Sequence, residues 1–192
     1  MLAATVADTF GSAAHNVGFP VLSSAITPES AESTFGFILA VWAIGKLLGS
    51  LLVRKFNLAN INNIQLMEKA FFLSVMVMSL GFVIAFYQST LFIALPLFLV
   101  AGIGDGISEV TFITRAQCTE KNIRLPIFSF ITLMQTSGFG VGMLVCSLFI
   151  EFFNVSYVVN FFHGVPLLIV ITSLFLIGNN VSLKRSKVHH VE

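Results

Sequence analysis

The chain has 192 residues, of which 56% are hydrophobic and only 10% charged, with a formal net charge of +1. A soluble domain carries roughly 25% charged residues, so these charges are too few to cover a water-soluble fold, and the mean hydropathy of +0.94 points the same way. The apolar residues lie in continuous blocks with no period of two, which argues against a β-barrel, and the net charge gives no reason to expect a nucleic-acid partner.

A helix that crosses a bilayer needs about 20 mostly apolar residues, because the hydrocarbon core is about 30 Å thick and a helix rises about 1.5 Å per residue. Six such segments use nearly the whole chain. The first, residues 2–24, is the most polar; it carries Asp8, Ser12, His15 and Asn16 and ends near Pro20, ahead of an acidic, Ser-rich loop with Pro28, Glu29 and Glu32. The second, residues 34–53, stops at Arg54-Lys55, and an Asn-rich joint from Asn57 to Asn63 leads to the third, residues 66–87. Gln88-Ser89-Thr90 separate that from the fourth, residues 91–114. A charged loop with Arg115, Glu120, Lys121 and Arg124 precedes the fifth, residues 126–150, and the joint at Glu151 and Asn154 precedes the sixth, residues 156–178. Residues 181–192 form a basic tail with Lys184, Arg185, Lys187, His189 and His190.

Basic residues concentrate on the cytoplasmic side of membrane proteins. Nine of the ten here fall at the second joint, the fourth joint and the tail, while Lys46 lies inside the second segment. The pattern predicts six spans with both termini cytoplasmic, in a single domain over residues 1–180 followed by the tail. The first 20 residues hold no Lys or Arg, and Asp8 interrupts their apolar run, so no signal peptide is expected.

Ionisable groups at membrane depth are costly and mark water-filled paths or buried pairs. Asp105 and Glu109 are four residues apart on the fourth segment and share a helix face. Two neighbouring carboxylates favour proton uptake, as proton-coupled transport requires; the structural alternative for Glu109 is a pair with Arg115 or Lys46. Asp8, Ser12 and His15 form one stripe of the first helix, suited to lining a substrate path, unless Asp8 simply reaches water at the helix end. Lys46 either snorkels to the cytoplasmic face, forms a structural ion pair, or serves as counter-ion to Asp105 or an anionic substrate. Gln135 and His163 are further candidates, and some of the 21 Phe residues could line an apolar pocket.

Enzyme and cofactor readings find little support. Gly102 to Ile107 lacks the final glycine, the preceding strand and the location of a phosphate loop. Cys118 and Cys146 have no metal-ligand spacing, no HExxH is present, and neither a disulfide framework, a metal nor a cofactor is expected. An intramembrane serine protease of the rhomboid type would have to use Ser137 and His163, but Gln135 stands where the serine motif needs Gly, and the histidine lacks its following glycines. Gly45 and Gly49, Gly102 and Gly106, and Gly138 and Gly142 are each four apart, which predicts grooves for close helix packing.

Phe35-Gly36-Phe37 through Gly45, Gly49-Ser50-Leu51-Leu52 and Arg54-Lys55 resemble the second helix and following basic loop of a major facilitator superfamily half. Gly49 and Arg54 match the loop motif, Val53 replaces its acid, and Phe56 stands at its second Gly. Thr111 to Gln117, Arg124 and the Gly-rich fifth segment are similar to bacterial drug and siderophore exporters. The resemblance covers essentially the whole chain and implies the C-terminal six-helix half of such a transporter. It implies proton-coupled export of a small amphipathic compound, in a bacterial-type cytoplasmic membrane, with Asp105, Glu109 and Asp8 handling protons or substrate. Because the path in that superfamily lies between two halves, it also implies a second half, a homodimer, or a truncated product; the lack of basic residues before the first segment fits truncation. The alternative is a non-transporting membrane subunit that packs against a partner.

Overall fold

The structure is a computed structural model that describes residues 1–188, with side chains through Leu176. It consists of α1 (Leu2–Ile26), α2 (Ala31–Lys55), α3 (Ile64–Ala85), α4 (Leu91–Gln117), α5 (Lys121–Phe152) and α6 (Val155–Val188), with one 3-10 turn, Pro28–Ser30, and no strand among the described residues. Five helical stretches, Pro28–Lys55, Ile64–Ala85, Leu91–Gln117, Lys121–Phe152 and Val155–Leu176, are long and apolar enough to cross a bilayer. The chain is therefore a multi-pass integral membrane protein. The first helix is long enough at 25 residues but carries the polar stripe, and it is not one of the five. The sixth helix runs through much of the sequence read as a tail; residues 189–192, including His189 and His190, lie outside the described residues.

Local chemistry explains the helix ends. The Asn63 side chain accepts a hydrogen bond from the Leu66 amide (3.0 Å) and caps α3. At the end of α2, Arg54 and Lys55 sit against the negative end of the helix dipole. There Asn57 takes the left-handed conformation (φ 51°), and the Leu58 amide bonds back to the Val53 carbonyl (3.0 Å). Within the helices most Ser and Thr hydroxyls donate to carbonyls of their own helix, as Thr9 does to Thr5 (3.0 Å) and Ser147 to Met143 (2.8 Å), so they need no water.

Packing follows the small residues. Glycines 45 and 49 of α2 lie directly on the α4 backbone: a β-carbon at Gly45 would collide with the Leu99 carbonyl oxygen, and one at Gly49 with that of Ile103. Gly102 and Gly106 of α4 meet the Trp42 and Lys46 carbonyl oxygens of α2 in return. The opposite face of α4 receives α3, where Gly104 leaves room for the Ser74 carbonyl and Gly81 for Ala101. The paired glycines thus form grooves that fit each other. Gly142 of α5 likewise packs on Ala13 of α1, and Gly138 lies at looser contact with Thr9.

Beyond α2–α4 and α3–α4, the main contacts are α1–α5, α1–α6 and α3–α6. Exchanging α1–α3 with α4–α6 maps this set onto itself: α1–α5 becomes α4–α2, α1–α6 becomes α4–α3, and α3–α6 is unchanged. The symmetry is broken at one place, where α1 meets α2 but α4 and α5 scarcely touch. The interior is aromatic: Phe19 and Phe98 are in ring contact with each other, and each also touches Phe82 and Phe86. The outside carries exposed Phe92, Leu125, Leu144 and Phe175, an apolar surface suited to lipid.

Candidate functional site: a polar cavity between four helices

A cavity of about 690 Å³ lies between α1, α2, α4 and α5, walled on one side by α3. Its lining includes Asp8 and His15 from α1, Lys46 from α2, Asp105 and Glu109 from α4, and Gln135 from α5. These six of the side chains singled out in the sequence, carried on four helices, line one cavity, and His163 is not among them. Ser12 and Asn16 join them, so the polar stripe of α1 faces the cavity and not lipid.

The centre of the site is an ion triad. The Lys46 ammonium lies 3.2 Å from Asp105 Oδ2 and 3.0 Å from Glu109 Oε2. The glycine grooves put it there: Lys46 follows Gly45, Asp105 precedes Gly106, and Gly106 rests on the Lys46 carbonyl. One turn earlier, the Trp42 ring lies 5.2 Å from the same ammonium. Lys46 is thus in ion-pair contact with both acids, and Glu109 with Lys46. Arg115 instead reaches Glu68 at 3.6 Å. Asp105 is the more enclosed partner, its side chain 15% exposed against 52% for Glu109.

Asp8 differs. Its Oδ1 is buried and has no hydrogen-bond partner. His15 is fully buried; its Nδ1 lies 3.2 Å from Nε2 of His163 on α6, and both rings stack on Phe82. A hydrogen bond between two neutral imidazoles needs one N–H and one bare nitrogen, so each ring fixes the tautomer of the other. Gly11 lies close against the pair: a β-carbon there would stand 3.0 Å from His163 Nδ1, and the ring would have to give by a few tenths of an ångström. His15 Nε2 and Trp42 Nε1, both on cavity-lining residues, are buried without partners. Gln135 is exposed on the α5 side.

His163 does not line the cavity; it contacts His15, which does. The Ser137 hydroxyl donates to the Leu133 carbonyl of its own helix (2.6 Å), while His163 is engaged with His15. Among the described residues no three His, Cys, Asp or Glu side chains are grouped to hold a metal. A second cavity of about 510 Å³ borders the first at Phe112, Ala116 and Ile131; it is mostly apolar and contains the Glu68–Arg115 pair.

Comparison with protein-family models, with curated proteins and with solved structures finds no match for this chain.

Proposed function

We propose that this chain is a secondary membrane transporter, or one half of one, that couples movement of a small amphipathic compound to protons. The observation that carries the reading is the convergence of Asp8, His15, Lys46, Asp105, Glu109 and Gln135 on one cavity inside a bundle with an apolar exterior. Charged groups kept at membrane depth are expensive and serve ion or substrate paths, and 690 Å³ is within the usual range of small-molecule sites.

The exchange symmetry of the helix contacts supports the same reading. Helices joined by short connections alternate in direction, so a three-helix unit repeated once enters the membrane from the opposite side. Inverted repeats with a site at their interface are a common plan for transporters. The symmetry also pairs α1 with α4, one of the five apolar helices, which supports α1 as a sixth span shielded by α5 and α6. Six spans agree with the distribution of basic residues, with both termini in the cytoplasm of a bacterial-type membrane, and with one half of a major facilitator superfamily bundle.

In this scheme the triad carries the coupling. A proton taken up by Asp105 or Glu109 removes one of the two charges that hold Lys46, and its release restores the bridge. Export driven by an inward proton gradient needs only that the two states open to different sides. The test uses purified protein in vesicles with a trapped pH-sensitive dye and ethidium as the amphipathic probe. Ethidium is expected to cause proton flux, and Asp105→Asn with Glu109→Gln to abolish it. Unchanged flux in both variants removes the coupling assignment.

Glu109 is half exposed, and α4 and α5, which both line the cavity, scarcely touch. Charge at membrane depth does not face lipid, so the pathway is expected to be completed by a second copy or another six-helix chain. The mass of the protein extracted in mild detergent, less bound detergent, checks this. A monomer would favour the alternative, a non-transporting subunit or transporter fragment.

A further inference from the structure

The cavity is two-tiered. Asp8, Lys46, Asp105 and Glu109 form a charged tier. His15 and Trp42, whose ring centroids are 5.5 Å apart, form an aromatic tier beside Phe19 and Phe82. Asp8 and His15 are seven residues apart on one helix, so the tiers are separated by about 10 Å at 1.5 Å per residue. Lys46 is committed to Asp105 and Glu109. Among the described residues no cation lies at ion-pair distance from Asp8, and its buried Oδ1 has no partner. In the aromatic tier two further buried polar groups make no hydrogen bond of good geometry: the Trp42 indole N–H, a donor beside Asp105, and Nε2 of His15, a residue only 1% exposed. Three buried polar atoms without hydrogen bonds on residues that line one cavity are unusual, because each costs roughly 1–3 kcal/mol.

We infer that the cavity binds a two-ended organic amine, with its ammonium on Asp8 and a hydroxyl at its other end between His15 and Trp42. The ammonium supplies the charge that Asp8 lacks. A hydroxyl both accepts and donates, so it can accept a hydrogen bond from the indole N–H and donate one to His15 Nε2. His163 sets this up: when the His15 Nδ1–H donates to His163 Nε2, the outer His15 nitrogen is left as an acceptor. The flat apolar part of the ligand would lie against Phe71, Phe128 and Phe139 of the lining. This inference rests on the cavity being a ligand site, as proposed above, and adds the class of ligand.

The chain has one tryptophan, Trp42, and it lies in the site, so its emission reports occupancy directly. Tyramine, with an ammonium and a phenol at opposite ends, is the probe; tyrosol lacks the amine and phenethylamine lacks the hydroxyl. Titrated into the full chain in mild detergent, tyramine is expected to shift Trp42 emission saturably. Each truncated analogue is expected to bind about tenfold or more weakly, as for loss of one charge-assisted or doubly used hydrogen bond. Asp8→Asn is expected to weaken tyramine by about the same factor and leave tyrosol unchanged. Should that variant fail to fold, the tyramine, tyrosol and phenethylamine series on the native chain decides alone.

The idea is overturned if tyramine causes no shift at millimolar concentration, if the three compounds bind alike, or if Asp8→Asn binds tyramine normally. A proton could occupy Asp8 instead. The charged groups around it are Lys46 on α2, Asp105 and Glu109 on α4 and the His15–His163 pair, whereas the α5 lining has none. An emission change that follows pH through Asp8 and ignores tyramine would assign the site to a proton and also sink the amine. Tyramine binding without proton flux would uphold the inference and remove the transport reading; ethidium-driven flux without tyramine binding would do the reverse.

Discussion

At the scale of single residues, Lys46 holds the site together. It compensates two carboxylates, so removing it leaves both uncompensated, whereas removing either carboxylate leaves one bridge intact. Breaking a fully buried pair costs about 3–5 kcal/mol; the half-exposed Glu109 keeps the figure here below that range. Lys46→Met is expected to lower the thermal midpoint in detergent more than Glu109→Gln does, and adding Asp105→Asn to Lys46→Met is expected to recover part of the loss. Equal effects for all three variants would mean that the triad contributes nothing as a unit. The members of the triad were legible in the sequence because apolar surroundings make any ionisable residue conspicuous, and because a four-residue spacing puts Asp105 and Glu109 on one face. Their common partner was left among several alternatives, since it depends on the register of α2 against α4. The His15–His163 contact spans 148 positions and joins α1 to α6, and no local spacing announces such a pair.

At the scale of elements, glycine sets the register. Where a glycine hydrogen rests on a neighbouring backbone carbonyl, even one methyl group forces the helices apart, and overpacking of this kind costs typically about 1–3 kcal/mol. Gly49→Ala and Gly106→Ala are therefore expected to lower the thermal midpoint and also disturb the triad, because the same contact positions Lys46 and Asp105. Gly36→Ala, Gly140→Ala and Gly164→Ala are the controls, since a β-carbon at those positions meets nothing within 4 Å. They are expected to be neutral or slightly stabilising, as alanine is the better helix former. Equal effects in the two sets would show that α2 and α4 do not pack as described. Four-residue glycine spacing made the grooves readable in advance, but not which groove meets which. The helices extend beyond the apolar segments in most places. The fifth helix begins at Lys121, ahead of residue 126: it continues through Pro126 in its second turn, which removes one N–H from the ladder, and its polar residues carry it beyond the apolar stretch.

At the scale of the whole molecule, the open point is how α1 relates to the membrane. Its polar stripe lowers its hydropathy, so composition alone separates it from the other five helices. The stripe faces a cavity, however, and α1 packs along both α5 and α6. A helix with its polar face inward and two spans against its flanks can cross the bilayer at little cost. If it does, residue 3 lies on the same side as Cys118 at the end of α4, and both lie opposite Gln88. Cys118 is exposed and Cys146 is buried, so the native chain already has a reporter and a silent control. Ala3→Cys in a Cys118→Ser background and Gln88→Cys in the same background complete the set. In intact cells a membrane-impermeant maleimide is expected to label Gln88→Cys only; after permeabilisation it should label Cys118 and Ala3→Cys as well. Labelling of Ala3→Cys but not Cys118 in intact cells would leave five spans and remove the symmetry on which the transporter reading leans. Labelling of both in intact cells, with Gln88→Cys protected, would keep six spans but invert them, contrary to the side chosen by the nine clustered basic residues.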